Sequence, residues 1–186
     1  MDELKSAWEI AQERANRLGK LSAEEQAQQA RERYHQIGQA LAQKWLDHSQ
    51  PLDISAELAG HTAEERNIIK QAVIQRLAEV IELAANRDIN IIRKAIEGIG
   101  NLGPDLQPGA EEMRKLVQEY EGAEHKIRQE LEIKYRETLH KLRISGTAVD
   151  AINVEATAEW PVARQELVED FTPRLNTLKQ GLFRSS

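Results

Sequence analysis

Between Met113 and Leu142 apolar side chains recur every three or four residues: Met113, Leu116, Tyr120, Ala123, Ile127, Leu131, Tyr135, Leu139 and Leu142. The run covers 142 − 113 = 29 residues in eight steps, a mean of about 3.6, the period of a straight α-helix rather than the about 3.5 of a strict coiled coil. A segment of this kind buries its apolar stripe only as a helix laid against other helices. The same spacing returns in Leu4, Trp8, Ala11, Ala15 and Leu18, and again in Ala27, Ala30, Tyr34, Ile37, Leu41 and Trp45. These predict helices over about 3–18 and 23–48, and the short GKLS joint between them predicts an antiparallel hairpin.

Residues 63–99 are apolar around most of a helical circumference, which predicts a central, nearly surrounded segment. The stretch NRDIN at 86–90 interrupts it, as a kink or as a break. Further helices are predicted over about 110–143 and from 158–161 to about 180, the last kinked by Pro173. No segment alternates apolar and polar residues over strand length. The fold class predicted is all-α: an elongated bundle of about five to six helices in one domain, 1–186. Its parts are the hairpin (1–50), central apolar helices (62–100) and a C-terminal helix pair (110–186) with an irregular loop at 143–160.

Helix starts are marked by a recurring small pattern: SAEE from Ser22, SAEL from Ser55, TAEE from Thr62, GAEE from Gly109 and TAEW from Thr157. Hydroxyl oxygens accept the free N–H groups of a first turn, and an acid there complements the helix dipole. Ser22–Glu25 and Thr62–Glu65 also have capping-box spacing. Stops are expected at Gly19, Ser49–Pro51, Gly60, Gly98–Gly109 and Gly146.

Composition narrows the function classes. The 23 alanines against eight aromatic residues suit narrow seams between helices. Acids exceed bases in both parts, 16 against 13 over 1–104 and 15 against 12 over 105–186. No clustered Lys and Arg offer themselves to a phosphate backbone, so no nucleic-acid partner is expected. The chain has no cysteine, which excludes disulfides and thiolate chemistry. It shows neither a signal-peptide run nor a membrane-length apolar stretch, so a cytoplasmic protein with no membrane partner is expected.

Two patterns suggest chemistry and neither survives its context. GIGNLG at 98–103 has the spacing of a dinucleotide-binding loop, but that loop follows a strand and opens a helix. Here the glycines follow the helical run NIIRKAIE and lead into Pro104, so a helix C-terminus is predicted and no cofactor. Glu32/His35 and Glu137/His140 repeat the E-x-x-H spacing of dimetal bundles, with Glu9, Glu13, Glu79 and Glu82 as further acids. At about 100° per residue, Glu32, Glu137 and His140 fall far from the apolar stripes of their helices. These pairs are therefore expected to face water and bind no metal. The i,i+4 pairs Glu124/Arg128, Glu130/Lys134, Glu132/Arg136 and Glu137/Lys141 predict a solvated outer face. No catalytic residue, cofactor site or small-molecule substrate is identified.

Partner contact is what the sequence leaves open. Leu41, Trp45 and Leu46 extend the 23–48 stripe beyond the reach of the shorter preceding helix. Their cover is the central helix, the 143–161 loop or a second chain, and the last is favoured: a protein partner or self-association. Val149, Ile152 and Val154 give that loop an apolar character suited either to closing the bundle end or to binding a partner.

SAWEIA (6–11), RLGKLS (17–22), ISGTAV (144–149) and EATAEW (155–160) resemble a family of small, uncharacterised, all-helical bacterial proteins. The resemblance implies bacterial origin and supplies no active site. The function expected is therefore a non-enzymatic helical interaction protein: an adaptor, assembly factor or complex subunit. A metal-carboxylate bundle enzyme and an RNA- or ribosome-associated factor are the alternatives.

Overall fold

A computed structural model describes residues 22–47, 53–84, 87–144 and 152–185. The helix expected over 3–18, and with it the hairpin, lie outside these. The order is α1 (Ala23–Asp47), α2 (Ile54–Ala59), α3 (Ala63–Val80), α4 (Ile89–Gly100), α5 (Gln107–Lys141), a 3-10 turn (Val154–Ala156) and α6 (Glu159–Ser185). Every regular element among the described residues is helical, as the spacing predicts.

α3 is the hub. It meets α1, α2, α4 and α6, and it buries Ile69, Ala72, Val73, Ile74, Leu77 and Ala78, positions that face several directions rather than one. α4 buries Ile92, Ala95, Ile96 and Ile99 between α3 and α5. The antiparallel pair α5 and α6 closes the other side through Met113, Leu116, Val117, Leu167, Leu175 and Leu182. Burying a side chain of this size fully stabilises the fold by roughly 1.5–3 kcal/mol.

The interruption near 86–90 is a break. Helical bonding stops after Val80, and Ile81 and Leu83 plug the core from non-helical backbone. Asp88 then starts α4 afresh, its carboxylate accepting the Asn90 N–H at 2.9 Å. The glycines of GIGNLG lie where a helix end was expected. Gly98 and Gly100 are inside α4, Gly103 is in the turn after it, and Asn101 caps the helix through its N–H to the Glu97 carbonyl at 3.0 Å.

Both capping boxes form. The Ser22 N–H donates to Glu25 at 2.7 Å and the Glu25 N–H to Ser22 Oγ at 3.1 Å. In the second, the Thr62 N–H donates to Glu65 at 2.9 Å and the Glu65 N–H to Thr62 Oγ1 at 3.4 Å. Thr157 accepts the Trp160 N–H at 3.3 Å. Two expected starts are corrected. Asp53, not Ser55, caps α2, because Ser55 sits one residue inside the helix and donates to the Asn101 carbonyl instead. α5 begins at Gln107, before Gly109, with Pro108 in its first turn, where a missing N–H costs nothing. The stop expected at Gly146 comes earlier. Arg143 takes φ 58°, while the N–H groups of Arg143 and Ile144 reach back to the carbonyls of His140 and Leu139, a Schellman closure. α6 runs on past Pro173 to Ser185.

The Thr62 box makes a first expected outcome. Thr62→Ala should lower the unfolding free energy by about 1 kcal/mol, measured by urea denaturation. An unchanged midpoint would mean that the box contributes nothing to the start of α3.

Candidate interaction surface

α5 has 35 residues and so extends roughly 52 Å at about 1.5 Å per residue. Its last fully buried side chain is Tyr120, which meets Phe171 of α6 edge to face. Beyond it the stripe keeps its period while the packing thins. Ile127, Leu131, Tyr135 and Leu139 are half-buried, and Leu142 and Ile144 at its end are 65% and 45% exposed. Ile133, 57% exposed, lies on the opposite face, about 200° round the helix from Leu131.

Ion pairs tie α5 to α6 and to the 3-10 turn that precedes it. From the bundle outward they are Glu119–Arg174 at 2.7 Å, Glu124–Arg164 at 2.8 Å, Arg128–Glu155 at 2.7 Å and Lys134–Glu159 at 2.7 Å. This corrects the expectation of i,i+4 pairing along α5. Glu132–Arg136 does pair that way, at 2.7 Å. Glu124, Arg128 and Lys134, however, turn to partners on α6 and on the 3-10 turn before it. The exposed pairs among them, Glu119–Arg174 and Lys134–Glu159, are each worth about 0–1 kcal/mol, so they fix alignment more than they add stability; Glu124–Arg164 is half-buried. Trp160 is buried beneath the ladder, with the guanidinium carbons of Arg128 and Arg164 5.0 and 5.9 Å from its ring centre.

The residues singled out for partner contact separate. Leu41 and Trp45 are buried in the chain's own core, and Leu46 is half-buried against it. The overhang is therefore covered by α3, the central helix, and by α4. Val154 is buried where the 3-10 turn meets α5 and α6, and Ile152 is half-buried. Val149 lies outside the described residues. What spacing alone did not reveal is that the open apolar surface is at the far end of α5.

Glu32, Glu137 and His140 are exposed, as their angular positions predict, while His35 is half-buried. Glu32 and His35 border an open groove between α1 and α3, together with Arg31, Glu64 and Gln71. Among the described residues no three His, Asp or Glu side chains are grouped to hold a metal ion, and no helix is long and apolar enough to cross a membrane.

A tighter polar cluster joins the same two helices. The Tyr34 hydroxyl donates to the Glu65 carboxylate, His61 meets Tyr34 edge to face, and His61 Nδ1 lies 3.8 Å from the other Glu65 oxygen. The Tyr34 hydrogen bond, followed by that of the Thr62 N–H, holds the Glu65 carboxyl below its ordinary range. Glu65 in turn raises Tyr34. A depressed carboxylate contributes stability that is complete above its unfolded value and lost as pH falls through the folded one. The melting temperature should therefore drop below about pH 4.3, the ordinary glutamate value, and Tyr34→Phe should shrink that drop. Identical acid limbs for the two proteins would rule out this pair as its source.

The described chain is thus an all-α bundle with a long, partly open C-terminal helix pair. It belongs to the family of unknown function DUF6657, which it matches over residues 55–184. The match takes in ISGTAV and EATAEW and leaves out SAWEIA and RLGKLS. No curated protein and no solved structure matches the chain.

Proposed function

We propose that the protein is a non-enzymatic helical interaction protein that makes its contact through the outer half of α5. One observation carries this reading: the α5 stripe continues at unbroken period past the last buried residue, and Leu142 and Ile144 stay exposed beyond half-buried Leu131, Tyr135 and Leu139. Apolar surface left in water is unfavourable by about 25 cal/mol per Å², and contiguous patches on soluble domains mark contacts. The surface suits association with another amphipathic helix, that of a second copy or of a protein partner. A cytoplasmic setting belongs to the same proposal.

The test is Leu139→Glu with Leu142→Glu, both beyond the buried core. Wild-type protein is expected to sediment above its monomer mass of 21.1 kDa or to retain a partner from its native host. The double variant should lose that association and keep its helicity. If wild type and variant both sediment as monomers and co-purify with the same proteins, the proposal fails.

A further inference from the structure

On the face formed by α2, the first half of α3 and the turn after α4 lies a cleft of about 460 Å³, within the range of small-ligand sites, roughly 300–1,000 Å³. Its floor includes Leu58 and Leu102, both buried members of the core. Its polar lining comes largely from one side of α3: Arg66, Asn67 and Lys70. Arg66 and Lys70, at i and i+4, share one face of the helix, and Asn67 borders the cleft from the edge it shares with the neighbouring groove.

The charge of this lining is unusual for the chain. The whole sequence is net −6, yet no acid is among the described residues that line the cleft. Lys70 is matched by Asp105 at 2.8 Å, and that carboxyl is held below its ordinary range by the Lys70 hydrogen bond. Arg66 is not matched. Its guanidinium makes no hydrogen bond or ion pair with any described residue, and neither does the Asn67 amide. An arginine fork left free beside an amide donor, above an apolar floor, is complementary to a planar carboxylate carrying an apolar body.

We propose that the α2–α3 cleft binds a small amphiphilic carboxylate, with Arg66 and Asn67 holding the anionic head and Leu58 and Leu102 receiving the apolar part. The site is independent of the outer α5 surface. Arg66 is the specificity-determining residue, because its fork pairs with two carboxylate oxygens where Lys70 offers only a point charge already engaged by Asp105.

The full chain can be titrated with octanoate, with octanol as the neutral match for its tail and with inorganic phosphate as the anion without one. Amide and Arg side-chain NMR signals follow the binding. Octanoate should saturate shifts at residues 55–70, octanol and phosphate should bind at least about tenfold more weakly, and Arg66→Gln should weaken octanoate by about tenfold or more. Arg66 is exposed and has no partner among the described residues, so the variant should melt with wild type, and Arg31→Gln in the neighbouring groove should bind as wild type does. Ala59→Glu, which sets a carboxylate on the cleft wall, should abolish binding without touching Arg66. Phosphate binding as tight as octanoate would overturn the amphiphilic assignment. Octanol binding as tight as octanoate would overturn the role of Arg66, and no saturable shift with any probe would overturn the site.

Discussion

Trp45→Ala should destabilise the protein by about 3–5 kcal/mol, the usual cost of emptying a large aromatic site. Trp45 is 4% exposed and closes the last turn of α1 onto α4. Its indole N–H donates to the Lys94 carbonyl at 2.8 Å. The contact runs both ways, since Lys94 Nζ donates to the Leu46 carbonyl at 2.8 Å, a cation on the orphan carbonyls of a helix C-terminus. The indole reaches the α4 backbone because residue 98 is glycine: a Cβ there would lie 2.6 Å from the indole nitrogen and 2.9 Å from Leu77 Cδ1. Trp45→Phe keeps most of the volume and loses the hydrogen bond, so it should cost roughly 0.5–1.5 kcal/mol for that bond plus the lost ring contacts. Urea denaturation followed by far-UV circular dichroism orders the three proteins. A Trp45→Ala variant within about 0.5 kcal/mol of wild type, the range of an ordinary surface change, would contradict the burial of this side chain.

Trp45 also shows which features the sequence made legible. Its place on an apolar stripe follows from period alone, as does the need to cover it. The cover itself is 49 residues away, and nothing in local spacing points to Lys94 or explains why Gly98 must be small. Capping boxes are the opposite case: donor and acceptor sit three residues apart, so Ser22–Glu25 and Thr62–Glu65 are readable as text. Ion pairs divide in the same way. Glu132–Arg136 is local and forms as expected, whereas Arg128 and Lys134 choose partners 27 and 25 residues away. NRDIN at 86–90 marks the interruption by its polar residues, but only the burial of Ile81 and Leu83 on non-helical backbone decides for a break over a kink. The α2–α3 cleft had no textual sign. Arg66 reads as one more charged residue in a helix, and its distinction is the lack of a partner among the described residues, which appears only in three dimensions. The open end of α5 lay within a stripe that was fully read, yet periodicity cannot say where along its length the neighbouring helix stops covering it.

Gly38→Ala should destabilise the protein, against the sign that helix propensity alone would give. A glycine inside a helix is worth about 1 kcal/mol less than alanine, so on an isolated α1 the substitution would help. In the fold Gly38 lies where α1 crosses α3, the most extensive helix contact in the bundle. A Cβ there would sit 2.5 Å from the Ile69 carbonyl oxygen and 2.6 Å from Ala72 Cβ. Neither can rotate away: one is backbone of the central helix and the other is bonded directly to it. α1 must then move off α3, loosening Leu41 and Ala42 with it. Overpacking of this kind costs about 1–3 kcal/mol, occasionally more, enough to outweigh the propensity gain. Gly38→Val should be worse, since its branched Cβ cannot be accommodated by a small shift. Ala72→Gly removes the second contact and leaves the first, so combining it with Gly38→Ala should restore only part of the loss. Gly122 supplies the control. It lies within α5 with nothing near its missing Cβ, and Gly122→Ala should stabilise by up to about 1 kcal/mol. The two alanine variants are thus expected to shift the urea midpoint in opposite directions. If both raise it, the close crossing of α1 and α3 at Gly38 is wrong.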